Sequence, residues 1–99
     1  LTRESEESEA RRLEESEAGE ALFRYGYEVD WLQGGRLGFS RVFRSGAGST
    51  IVHKTKKAGP ARLSDPIRLN IFDASKLTHS IEFKSLRDLI AVLEEHRTL

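Results

Sequence analysis

The sequence predicts an α+β domain: a roughly five-stranded antiparallel meander sheet, covered on one face by a C-terminal helix and preceded by a charged, solvent-exposed N-terminal helix. Three observations predict it. Apolar residues recur with a period of two in several stretches between Ala21 and Phe83. Turn-forming residues separate those stretches at short intervals, as a meander of hairpins requires. The last stretch changes to a helical period. At 99 residues and 37% hydrophobic content, the chain can build one core. The organisation is therefore a helical arm over 1–20 and a single sheet-plus-helix domain over 21–99.

The first segment, LTRESEESEARRLEESEAGE, is rich in helix formers, lacks proline and pairs opposite charges at helical spacing, as in Glu7 and Arg11. Its apolar residues are Leu1, Ala10, Leu13 and Ala18. That is too few for a stripe to dock on a core, so the helix is expected in solvent, with Gly19 near its end. From Ala21 the alternation of Phe23, Tyr25, Tyr27, Val29 and Trp31 with polar residues predicts a half-buried strand. Gln33-Gly34-Gly35 supplies a hairpin turn. RLGFSRVFR is the second strand, with a bulge expected near Ser40 because Arg41 falls on the apolar parity and Val42 does not. After the Ser45–Ser49 loop, residues 50–55 form a third strand, and the proline-bearing KKAGPARLSDP is a connector. IRLNIFD and LTHSIEF alternate around a turn at 73–76 as a second hairpin. The final helix begins at Ser85, whose capping partner is Asp88, and presents Leu86, Leu89, Ile90 and Leu93 on one face.

Sixteen basic and sixteen acidic side chains cancel, but not evenly along the chain. Residues 1–20 carry eight Glu against three Arg, whereas residues 36–62 carry seven bases and no acid. Such asymmetry argues about partners rather than fold. No apolar run is long enough for a membrane span, and no signal peptide is evident, so no membrane partner is expected. Cysteine is absent, which excludes disulfides, thiolate metal sites and cysteine nucleophiles. An intracellular location is the default, with cytoplasm and nucleus indistinguishable. The chain begins at Leu1 rather than methionine, as a trimmed or processed piece would.

The proton-transfer candidates are His53, His79 and His96, with Glu28, Asp73 and Glu82 as possible partners. His79 stands out because it lies between Leu77 and Ile81 on the apolar parity. A histidine at a sheet rim or hydrogen-bonded in the core accounts for it more simply, and no nucleophile motif or metal-ligand spacing accompanies it. No catalytic residue, metal or cofactor is assigned, and the chain is expected not to be an enzyme. RSGAGST lacks the lysine and following helix of a phosphate-binding loop, so its glycines belong to a hairpin connector.

The basic middle carries the functional expectation. Arg36, Arg41, Arg44, Lys54, Lys56, Lys57 and Arg62 are the candidate nucleic-acid-binding residues, reaching phosphates from a sheet face and its loops. If the odd residues face the core, Arg24, Arg36, Arg44, Lys54, Arg68 and Lys84 point outward. Tyr25, Tyr27, Trp31, Phe39 and Phe43 would stack bases if exposed, although serving as the core is their simpler role. The leading expectation is a small non-catalytic nucleic-acid-binding module. The alternative is a protein-interaction or regulatory-subunit module, or a homodimer, using the acidic helix or a sheet edge. A contiguous basic face would favour the first, and an exposed apolar strip the second.

Overall fold

The parity of the strands decides what the fold buries, and the odd residues win. The computed structural model describes residues 3–97; Leu1, counted among the arm's apolar residues, lies outside them. Helices α1 (Arg3–Glu14) and α2 (Glu17–Phe23) precede strands β1 (Glu28–Leu32), β2 (Arg36–Val42), β3 (Gly48–His53), β4 (Ile67–Asp73) and β5 (Lys76–Phe83), and helix α3 (Leu86–Arg97) follows. The strands form one antiparallel sheet in the order β1-β2-β3-β4-β5, the expected meander. Register aligns Phe39 with Ile51, Ile51 with Leu69, and Ile67 with Phe83. These residues lie on one face, where they meet Leu86 and Leu89 of α3. The helix starts as expected, with the Asp88 N–H donating to Ser85 Oγ at 3.3 Å.

The N-terminal arm departs from expectation in two ways. It is not wholly solvated: Leu13, Ala18 and Leu22 are buried in the same core as the sheet. A second short helix continues past Ala21, so the first strand begins at Glu28 rather than Ala21. Ser16 caps α2 by accepting from the Gly19 N–H at 3.1 Å, which turns the chain sharply between the two helices. Gly19 therefore lies inside α2 rather than ending a helix. A Cβ there would overlap the carbonyl oxygens of Leu13 and Glu14, so the tight elbow requires glycine. The elbow lets a helix with almost no apolar stripe bury its one large interior residue, Leu13.

The bulge expected near Ser40 is absent, because β2 pairs with β3 in continuous register from Phe39 to Val42. Arg41 stays on the apolar parity, where its guanidinium lies 4.5 Å from the centre of the Phe43 ring. The register shift falls instead between Ile71 and Phe72, where Ile71 faces His79 but Phe72 faces Leu77. Thr78 is the extra residue. Beyond the shift, Leu77 lies on the opposite face from Ile81.

At the other end of the sheet, β2 and β3 separate after the Phe39–Ile51 pair, and the 54–66 connector fills the gap. The Leu37 N–H donates to the Lys57 carbonyl at 2.7 Å, and the Gly59 N–H to the Leu37 carbonyl at 3.2 Å. The arm meets this connector directly: the Ala18 N–H donates to Ala61 O, and the Leu63 N–H to Glu17 Oε1. Among the described residues, no helix is long and apolar enough to cross a membrane.

Candidate functional site

The seven basic candidates do not form one cluster. Arg36 opens β2, with Lys54 just beyond β3 and Lys56 and Lys57 in the connector, all at one end of the sheet. Arg41 and Arg44 lie towards the opposite end, where β2 turns into β3. The five residue steps from Arg36 to Arg41 separate the groups by about 17 Å at the rise of an extended strand. Arg62 lies further along the connector, in the turn that Asp65 holds by accepting from the Ala61 and Arg62 N–H groups. Burial opposes charge on Asp65, but those two N–H groups, helped by the nearby Lys56 ammonium, hold its carboxyl below the usual carboxylate range. Of the bases expected to point outward from strands, Arg24 caps the end of α2, Arg44 lies in a turn and Lys84 follows β5.

The basic end is held by hydrogen bonds. One Arg36 guanidinium nitrogen donates to the carbonyls of His53 and Lys56. The buried His53 ring accepts at Nδ1 from the N–H groups of Thr55 and Lys56, both at 3.1 Å. An accepting Nδ1 must be unprotonated, so the ring is neutral with its proton on Nε2. Burial, and then the charges of Lys56 and Arg36, push the His53 pKa below its ordinary value, while Asp65 opposes them. The backbone of a lysine-rich loop is thus tied down while Lys54, Lys56 and Lys57 stay exposed.

The uncovered face of the sheet joins this end. Arg68 lies beside Lys54, and both bind Glu82, at 2.6 and 3.2 Å. Hydrogen bonds from Arg68 and Lys54 hold the Glu82 carboxyl below the usual range. From that end to the β4–β5 turn the face carries Leu32, Val52, Phe72 and Leu77 among Thr50, Asn70 and Ser80, around an open hollow of about 430 Å³. Gly38 lies under Leu32 and Val52, and a Cβ there would come within 2.5 Å of the Ile51 carbonyl oxygen. The face therefore combines a basic end with apolar and polar uncharged groups along the rest of its length.

The five aromatic candidates fall elsewhere. Tyr27 and Phe39 are buried in the core, and the Tyr25 hydroxyl donates to Glu94. Trp31 and Phe43 are 41% and 46% exposed, but their parity places them with the helix-covered face. Sequence reasoning expected Arg68 to point outward but passed over Phe72. The outward parity of IRLNIFD holds Arg68, Asn70 and Phe72, so an aromatic among the polar positions was the available signal.

His79 lies at the sheet rim, on the edge strand β5, as its simpler reading expected. His79 is exposed, with Nδ1 3.2 Å from the Thr78 hydroxyl, and His96 is exposed on α3. His53 is the buried one. In the glycine loop, the Gly46 N–H donates to the Phe43 carbonyl and the Phe43 N–H to Ala47, which closes the β2–β3 hairpin. Comparison with known proteins returns no match: no family model fits the chain, and no curated protein or solved structure matches it.

Proposed function

We propose that this domain is a small non-catalytic nucleic-acid-binding module. It contacts the phosphate backbone with the basic end of its uncovered sheet face and the adjoining loop. One observation carries the reading: Arg36 and His53 tie down the backbone of the 54–57 loop that bears the exposed Lys54, Lys56 and Lys57, and Lys54 shares Glu82 with Arg68. Cations fixed before binding cost less ordering than cations on a free loop. Each phosphate they neutralise releases counterions and steepens the salt dependence. Arg41 and Arg44, at the far end, are secondary in this reading.

The test is fluorescence anisotropy of a labelled oligonucleotide across a salt series, with charge reversals at each end. Affinity should fall with a log–log slope of about −0.7 per contacted phosphate on a single strand. Lys56→Glu with Lys57→Glu should nearly abolish binding, while Arg44→Glu should weaken it little. Binding that is undetectable, or indifferent to salt, contradicts the proposal. The alternative is a protein-interaction module or homodimer. The open edge of β5 supports it, where Leu77 and Ile81 are 53% and 42% exposed.

A further inference from the structure

The hollow on the uncovered face is not needed to hold a phosphate backbone, yet it lies against the basic end. It runs diagonally across the sheet, from Leu32 and Gln33 beside the β1–β2 turn to Ser75 and Leu77 beside the β4–β5 turn. Its volume of about 430 Å³ falls among those of pockets that enclose small ligands, about 300–1,000 Å³. Its chemistry is divided. Phe72, Val52 and Leu77 supply apolar surface, Thr50 and Asn70 supply hydrogen-bonding groups, and Arg36 and Arg68 supply charge. Asn70 Oδ1 accepts from the Ser80 hydroxyl at 2.8 Å, which leaves the amide N–H groups as its donors. Each arginine is held through one guanidinium nitrogen, Arg36 by two carbonyls and Arg68 by Glu82, and each guanidinium has further donors.

We infer that this hollow takes an unpaired nucleobase against the Phe72 ring, with phosphates two or three nucleotides further along the same strand on Arg68 and Arg36, so that the partner is single-stranded nucleic acid. The inference rests on the nucleic-acid reading above and specifies its substrate class. Charge complementarity selects an anion: Arg36 and Arg68 line the hollow with no carboxylate among its lining residues, and Glu82 lies beyond it, shared by Arg68 and Lys54. The aromatic ring beside amide and hydroxyl groups suits a flat heteroaromatic with polar edges. A duplex keeps its bases stacked inside and offers only backbone and groove edges, so it cannot lay a base on Phe72. An extended peptide adding as a strand would pair with a sheet edge, whereas the hollow lies on the face.

The experiment compares a fluorescein-labelled thymidine homopolymer with a hairpin duplex of equal phosphate count, using the native chain, Phe72→Leu and Asn70→Ala. Leucine keeps apolar bulk without the ring, and unfolding midpoints confirm that each variant is folded. The native chain should bind the single strand at least about ten-fold more tightly than the duplex. Phe72→Leu should cost the single strand about ten-fold, the scale of one lost stacking contact, and leave duplex binding unchanged. Asn70→Ala, which removes no packed ring, should weaken the single strand selectively and provides the same test if Phe72→Leu does not fold. Equal affinity for both forms, unaffected by either variant, overturns this inference and leaves backbone binding standing. Absence of binding to either form at low salt overturns both.

Discussion

The two faces of the sheet are built from alternate residues of the same strands, yet they follow different rules. On the covered face, Phe39, Ile51 and Leu69 are neighbours across three strands and are buried against the helices. One residue away along each strand, Gly38, Thr50 and Asn70 point to the opposite side. The covered face answers to packing, where volume and apolarity decide. The open face is free to carry guanidinium, amide, hydroxyl and one aromatic ring together, because no helix needs to close over it. The contrast also explains why the basic middle is not one functional unit. Arg41 lies on the covered parity and packs over Phe43, whereas Arg36, five residues earlier, lies on the open parity and anchors the lysine loop.

The contrast can be broken by truncating one aromatic on each face. Phe39→Ala should cost about 3–5 kcal/mol, enough to unfold most of a domain this small. Phe72→Ala, half-buried on the open face, should cost about 1 kcal/mol. Urea unfolding measures both, and equal losses would mean that the open face is a second core.

A smaller effect concerns the joint between the faces. His53 is held neutral in the folded chain, its pKa lowered first by burial and then by Lys56 and Arg36, against the opposing pull of Asp65. The unfolded chain therefore binds more protons as pH falls below about 6.5. The stability contributed by the neutral ring is complete above that pH and is lost as pH drops through the lower folded value. Asp65 and Glu82 also have lowered pKa values, so their contributions hold above the ordinary carboxylate range and fade only in stronger acid. Urea midpoints measured between pH 7 and about pH 5 should decline for the native chain. They should stay nearly flat for His53→Asn, whose side-chain oxygen accepts without titrating in that range. An identical decline in both would assign the pH dependence to another group.

Much of the fold was legible because period two is a direct record of a sheet with one buried face. IRLNIFD and the 85–97 helix carry that record cleanly. The arm was less legible because Phe23, Tyr25 and Tyr27 imitate strand alternation, while the helix that ends at Phe23 is fixed by the Ser16 cap and the Gly19 contact. Composition alone could not reveal that an arm with eight Glu docks on the core, since one leucine at the right elbow suffices. The candidate site was half legible: charge located the lysine loop, but not its division from Arg41 and Arg44. Nor could it show that His53 holds the loop, a contact between a strand end and the residues that follow it. Phe72 was hidden because it shares the polar parity of Arg68 and Asn70, beside a register shift that parity alone does not show.

The most direct test of the open face as the working face is amide chemical-shift mapping during titration with a short single strand. Shifts concentrated at Thr50, Lys54, Lys56, Asn70 and Phe72, with α3 and the Phe43–Ala47 turn unchanged, are the predicted result. Shifts centred on that turn, or on α3 and the β5 edge while Asn70 and Phe72 stay still, would contradict it.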